Sequence, residues 1–330
     1  MSERRRDPLS GQWVAVAGER GTRPRVLRLP PSPPPPPADT CPFCPGREEP
    51  DTGLWLEEGQ AGWLARVVRN RYANLDPPGG VIDPPPSPDT LLQRHRLPGK
   101  AEVLVEGPDH HARIGWMPAR HLEAAMRGQA ARLGALAAMG FAHVALFRNQ
   151  GALAGASQPH PHSQLVASWD EPPTVLAEKE RFQDHHQRHG RCLLCAVIEA
   201  EEAGGRLVAR WQGFVLLAPW AGSHPMELLL VPESCAATMS DVRVEDWAAI
   251  QARVDRLVEA TSPSAATNLW VHQSLAGSGP FHWHAQVVPR PAVTGGWELA
   301  TGWKLEPVPP EAAADLYRAA WDATAPVGRP

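Results

Sequence analysis

Apolar positions along this chain follow two periods, and the same succession occurs in both halves. Residues 118–139, rich in Ala, Leu, Met and Arg, give the clearest amphipathic helix, and residues 244–259 give a second. The stretch 101–106 alternates as a strand does, and 63–72 reads as a strand running into a loop. After the first helix come a strand over 143–149, a Gly-rich loop and a strand over 165–168. Strands over 206–218 and 227–231 precede the second helix. After it come a strand over 268–272, another Gly-rich loop and a strand over 284–289. A last helix over 309–321 starts at a Pro pair, which the first turn tolerates. The Pro-rich stretches 30–37 and 77–90 are expected to be an extended spacer and a loop, because Pro has no backbone donor.

The two Gly-rich loops carry the same signature. Gly155-Ala-Ser-Gln-Pro-His160-Pro-His162-Ser-Gln-Leu-Val-Ala167 parallels Gly277-Ser-Gly-Pro-Phe-His282-Trp-His284-Ala-Gln-Val-Val-Pro289. Each has Gly five residues before a His, then His-x-His, then x-Gln-apolar-Val. Helix, strand, loop and motif recur in one order, so one unit is used twice. The expected fold is α+β: two duplicated domains, 1–170 and 171–330, each an antiparallel sheet with packed helices.

Composition narrows the chemistry. Hydrophobic residues at 43% and charged residues at 21% describe a soluble globular chain, and a net charge of −4 gives no case for nucleic-acid binding. No run reaches the length of a membrane span. The N-terminus has basic residues without an apolar core, so no secretory signal is expected and a cytoplasmic location follows. The five cysteines fall as Cys41/Cys44, Cys192/Cys195 and Cys235. Two Cys-x-x-Cys pairs in a chain of 330 residues point to metal rather than a disulfide framework. Neither shows the helix context of a redox pair. His110 and His160, each next to a strand, are candidates to complete a tetrahedral site with Cys41 and Cys44, while Cys235 alone reads as a buried small hydrophobe.

His160-Pro161-His162 is the sharpest chemical feature. Small residues before it permit close backbone approach to an anion, and Pro161 fixes the chain between two imidazoles. One imidazole can face a metal while the other faces substrate. A neutral imidazole attacks phosphorus readily and leaves a reactive phosphoramidate. The spacing alone is also compatible with a pair of metal ligands or with exposed histidines.

These residues carry a resemblance. The chain resembles the galactose-1-phosphate uridylyltransferase family, the transferase branch of the histidine-triad superfamily, over nearly its whole length. The matching segments are Arg5-Arg-Asp-Pro-Leu-Ser-Gly-Gln-Trp13, Cys41-Pro-Phe-Cys-Pro-Gly46, Val68-Arg-Asn-Arg-Tyr-Ala-Asn-Leu75 and Glu106-Gly-Pro-Asp-His110. The block from Phe147 to Gln164, Phe281-His-Trp-His284 and Gly296-Trp-Glu298 complete them. The resemblance implies a zinc site of Cys41, Cys44, His110 and His160 that supports the nucleophile loop. It implies that His162 attacks the α-phosphorus of a nucleoside diphosphate sugar, releases hexose 1-phosphate and passes the nucleotide to a second sugar phosphate. The carbonyl of His160 is expected to accept a hydrogen bond from Nδ1 of His162, and Ser157 and Gln164 to donate to phosphate oxygens. Asn70, Arg71 and Asn149 are expected to hold the phosphate or nucleotide. Gln164 stands where hydrolytic relatives carry His, which favours transfer.

A second zinc site is implied, with alternatives. Cys192, Cys195, His282 and Cys235, the last in place of a family His, form the preferred set; His272, His282 and His284 with Glu178 or Glu180 form the other. The segment Val293-Thr-Gly-Gly-Trp-Glu298 lacks the Lys that known uridylyltransferases carry there. Arg71, Arg148 and Lys304 remain candidates for positive charge. The expected activity is uridylyl transfer between UDP-glucose and galactose 1-phosphate. The alternatives are adenylyl transfer from ADP-glucose to phosphate and a non-catalytic zinc-stabilised nucleotide-binding protein. A homodimer is expected from the resemblance.

Overall fold

The computed structural model describes residues 2–19, 38–49, 52–75, 95–262, 266–275, 279–290 and 294–325. The Pro-rich stretches 30–37 and 77–90 lie outside them. In chain order, β1 (Glu3–Arg6), β2 (Trp13–Val16), β3 (Gly53–Gly59), β4 (Gly62–Arg69) and β5 (Gly99–Val105) precede α1 (Ala119–Ala138). β6 (His143–Gln150) and β7 (His162–Ser168) complete the first half. Then come α2 (Pro173–His189), α3 (Leu193–Gly204), β8 (Leu207–Trp211), β9 (Phe214–Leu217), β10 (Leu228–Pro232) and α4 (Val244–Thr261). β11 (Ala266–His272), β12 (His284–Arg290), α5 (Gly296–Thr301), β13 (Lys304–Glu306) and α6 (Pro310–Trp321) end the described chain. The sequence pattern anticipated neither α2 nor α3, and β4 stops at Arg69, three residues before Tyr72.

The two halves share one sheet. Among the described residues its ten strands run β3-β4-β5-β7-β6-β11-β12-β10-β9-β8. Read from either edge inward, the order is the same in each half, and the copies meet where β6 pairs antiparallel with β11. The fold is therefore α+β, with the repeat visible in its topology. β1, β2 and β13 make a separate three-stranded sheet.

Strand alternation gives the large sheet two unlike faces. Leu146 on β6, Leu165 on β7, Val271 on β11 and Leu230 on β10 point to one face. There they meet Leu122, Met126 and Leu136 of α1 and Trp247, Ile250 and Leu257 of α4 in a single core. On the other face, Val215, Leu217, Leu229 and Val231 of the second half are covered by Phe182 of α2 and by Leu194 and Ile198 of α3. Over the first half that face carries Phe147, Asn149 and Gln164, all partly exposed. One copy fills the face with helices and the other leaves it accessible, which is the structural precondition for a site on the N-terminal half.

Candidate active site and metal centres

The two His-x-His turns have the same hydrogen bonds. The Nδ1 of His162 lies 2.8 Å from the main-chain oxygen of His160, and the Nδ1 of His284 lies 3.0 Å from that of His282. The Nε2 of His160 lies 2.7 Å from the oxygen of Gly107, and that of His282 lies 2.9 Å from the oxygen of Pro232. A carbonyl only accepts, so each of these nitrogens carries the proton. In His160, His162 and His282 the opposite ring nitrogen therefore holds the lone pair, whereas the Nε2 of His284 faces a carboxylate oxygen of Glu178 at 3.1 Å. His160 and His282 thus present Nδ1 to cysteines, and the lone pair of His162 is on Nε2.

Four ligand atoms converge in each half. Cys41, Cys44, His110 and His160 have theirs within 4.8 Å of one another, as do Cys192, Cys195, Cys235 and His282. In the first group the Nδ1 of His160 is 3.8 and 3.7 Å from the sulfurs of Cys41 and Cys44, and the Nδ1 of His110 is 3.4 Å from Cys44. In the second the Nδ1 of His282 is 3.7 Å from both Cys192 and Cys195. Burial, aided by the Cys41 neighbour, raises the Cys44 thiol. In the second group burial opposes ionisation of Cys192, but hydrogen bonds led by His282 bring it down to about 7, while burial and the Cys192 sulfur push Cys235 up to about 12. One thiolate forms at the expense of its neighbours, a competition that a divalent cation would remove. Burial lowers His160 to about 4, so its imidazole is neutral and able to ligate. Both donor sets fit a tetrahedral, thiolate-preferring ion.

Contrary to expectation, the Cys192/Cys195 pair does have a helix context. Cys192 is the N-cap of α3 and Cys195 lies in its first turn. The two arrangements weighed for the second metal are also not exclusive. His282 belongs to the cysteine cluster, whereas Glu178, His272 and His284 form a third group with ligand atoms within 4.8 Å. Glu178 reaches from α2 to His272 Nδ1 at 2.8 Å and His284 Nε2 at 3.1 Å. Burial alone would raise this carboxyl, but the two imidazoles hold it well below the ordinary range. The second copy's counterpart of His162 is therefore occupied by a protein carboxylate. Glu180 is not part of the group.

His162 is buried at the start of β7, with Gln164 following on the same face. The ring of Phe43, from the Cys41–Cys44 knuckle, lies 5.4 Å from the His162 ring and 6.0 Å from the His160 ring. The sequence reading missed this contact. Asn70, just past β4, donates to Gln164 Oε1 at 3.4 Å. Asn149, on β6, takes a hydrogen bond from Asn268 of β11 at 2.8 Å. Ser157 is exposed on the loop that opens with a turn at Gly151 and Gly155, which adopt φ +86° and +85°. Arg71 faces away to Glu49 at 3.0 Å and is 68% exposed. Arg148 offers no charge to this face. Strand alternation turns it to the opposite side, where its Nε is 2.9 Å from buried Glu106 and its Nη1 is 2.9 Å from Gln251 of α4. Lys304 lies in β13, in the small sheet.

The galactose-1-phosphate uridyl transferase N-terminal domain family matches residues 1–172. An ADP-glucose phosphorylase of Arabidopsis thaliana is 28% identical over 96% of this chain and 92% of its own length. A galactose-1-phosphate uridylyltransferase of Haemophilus influenzae is 27% identical over 87% and 83%. The crystal structure of an Arabidopsis thaliana ADP-glucose phosphorylase with bound ADP-glucose superposes with a TM-score of 0.79 at 25% identity, covering 96% of this chain and 99% of that one. A uridylyltransferase structure gives a TM-score of 0.75 at 25% identity, covering 98% and 100%. Among the described residues no helix is long and apolar enough to cross a membrane. The duplicated sheet and the His-Pro-His turn at its open face, together with these matches, place the chain in the galactose-1-phosphate uridylyltransferase family.

Proposed function

We propose that this chain is a nucleotidyltransferase that moves a nucleoside monophosphate from a nucleoside diphosphate sugar to a phosphate-bearing acceptor through a covalent intermediate on His162. The observation that carries the reading is the bond from His162 Nδ1 to the His160 carbonyl, which leaves Nε2 as the nucleophile. Nε2 attacks the α-phosphorus, the bond to the bridging oxygen breaks, and hexose 1-phosphate leaves with that electron pair. The imidazole becomes cationic while retaining its Nδ1 proton, and the His160 carbonyl stabilises that charge. In the second half-reaction an anionic phosphate oxygen of the acceptor attacks phosphorus and His162 leaves neutral. Neither half-reaction needs a general base, so an amide at Gln164 suffices. Ser157, Gln164, Asn149 and Asn70 hold phosphate and nucleotide oxygens, and Arg71 would have to leave Glu49 to join them.

Cys41, Cys44, His110 and His160 would hold one zinc ion, and Cys192, Cys195, Cys235 and His282 a second. The chemistry the ions supply is structural cross-linking of loops. The copies divide at about 170, between β7 and α2. The same reading includes a cytoplasmic homodimer, for which the exposed Trp297 and Leu299 of α5 suit a subunit contact.

UDP-glucose as donor and a hexose 1-phosphate, galactose 1-phosphate first, as acceptor is the leading substrate assignment. ADP-glucose with inorganic phosphate is the second, favoured by the missing Lys before Gly296-Trp-Glu298 and by the likeness to the plant phosphorylase. Steady-state turnover of each donor with each acceptor decides between them. Activity only with UDP-glucose and galactose 1-phosphate upholds the first. Phosphate-dependent release of ADP from ADP-glucose overturns it in favour of the second.

A further inference from the structure

Asn268 stands on β11, in the C-terminal copy, yet its side chain works on the N-terminal site. Its Nδ2 lies 2.8 Å from the main-chain oxygen of Ala154 and 2.8 Å from Oδ1 of Asn149. The oxygen of Ala154 can only accept, so the nitrogen end of the Asn268 amide must face it. The second hydrogen on that nitrogen goes to Asn149, and the atom receiving it must be an oxygen. The Asn149 amide is thereby fixed with its oxygen consumed, leaving its Nδ2 as a donor on the side of Gly155, where an added Cβ would lie 3.8 Å from it. Asn149 and Asn268 are directly opposed across the β6–β11 junction, so no loop movement is needed to bring them together. The start of β11 also packs against the same loop, since a Cβ at Gly151 would come within 3.0 Å of Ala266 Cβ.

We propose that Asn268 is a positioning residue for nucleotidyl transfer: it holds Asn149 as a hydrogen-bond donor to the phosphate and sugar oxygens bound at His162, and ties the 151–155 loop to the sheet. The inference rests on the proposed reaction at His162. A nucleotide sugar offers acceptor oxygens around its phosphates, and an amide free to rotate would present its own oxygen to them half the time. Asn268 removes that orientation. In this way the junction between the two copies, rather than the N-terminal copy alone, completes the site.

The test is a double-mutant cycle on Asn149→Ala and Asn268→Ala, read as the single-turnover rate of His162 labelling by UDP-glucose and ADP-glucose, and as the Kd for each donor. The expected result is a loss of about tenfold for Asn268→Ala in the native background that shrinks severalfold when Asn149 is already Ala. Equal losses in both backgrounds overturn the proposal. Asn268→Thr, suited to a strand, replaces Ala if the alanine variant folds poorly, and is read the same way. If His162 is never labelled but the cycle shows the same coupling in Kd, the positioning role stands and the covalent reading fails. Binding of neither donor to the intact protein overturns both.

Discussion

His160 links a metal-binding group to the nucleophile: its Nδ1 is 3.8 Å from the Cys41 sulfur, and its main-chain oxygen is 2.8 Å from Nδ1 of His162. Changing the first group should therefore disturb catalysis, and changing the second should not. Cys44→Ser is expected to lose one metal ion per chain and to slow His162 labelling about 10- to 100-fold. Cys192→Ser is expected to lose one metal ion while labelling proceeds near the native rate. Metal analysis combined with single-turnover kinetics checks both. Equal slowing by the two variants would mean that the second group also reaches the nucleophile.

Behind the turn, Arg148 and Glu106 form a buried pair, with Glu106 fully inaccessible. The backbone N–H of Glu106 also donates to the oxygen of Pro161 at 3.1 Å. Glu106→Ala strands a buried guanidinium and should cost about 3–5 kcal/mol. Urea unfolding measures this directly, and a loss below about 1 kcal/mol, the range of an exposed pair, would show that Arg148 regains water or another partner.

Trp283 sits between the two imidazoles of the second turn, where the first has Pro161, and it is fully buried against Phe214 and Trp247. Its ring belongs to the core shared by both copies. Trp283→Ala should lower unfolding free energy by about 3–5 kcal/mol. Because its ring partners, Phe214 and Trp247, are both in the second copy, the surviving folded fraction should label at His162 as the native protein does. Loss of labelling with stability retained would contradict this division of roles.

Burial lowers His143, at the start of β6, from 6.5 to about 4. A histidine with a depressed folded pKa binds its proton more readily when unfolded. Stability is then unaffected above about pH 6.5, falls as pH drops from there, and levels off below about pH 4. At pH 5 the loss from this one residue is about 2 kcal/mol. His143→Gln should show about that much less difference between its unfolding free energies at pH 7 and pH 5, measured by urea unfolding. Identical pH dependence in both proteins would remove His143 as the cause.

The repeated His-x-His units were legible because each is a contiguous run with Gly, His and Gln at fixed spacing, and the symmetric strand order follows from that repeat. The α2 helix was not legible, because Glu178 and Phe182 are its only buried residues and its sequence shows no apolar stripe. Arg148 could have been placed correctly: if Asn149 faces the ligand, strand alternation sends Arg148 to the opposite side. Asn268 gave no local signal. Its partner is 119 residues away, and only the strand register brings the two amides together. The separation of His282 from His272 and His284 was likewise beyond spacing, since Nδ1 of His282 and Nε2 of His284 point to different neighbours.

Nucleotidyl transfer through His162 requires a covalent nucleotide on that residue. Intact-protein and peptide mass spectrometry after incubation with UDP-glucose or ADP-glucose, without acceptor, reads it directly. The predicted result is one nucleoside monophosphate on the peptide containing His162, discharged by galactose 1-phosphate or inorganic phosphate and absent in His162→Ala. A folded, metal-loaded protein that forms no adduct with either donor, or that forms it at another residue, would contradict nucleotidyl transfer through His162.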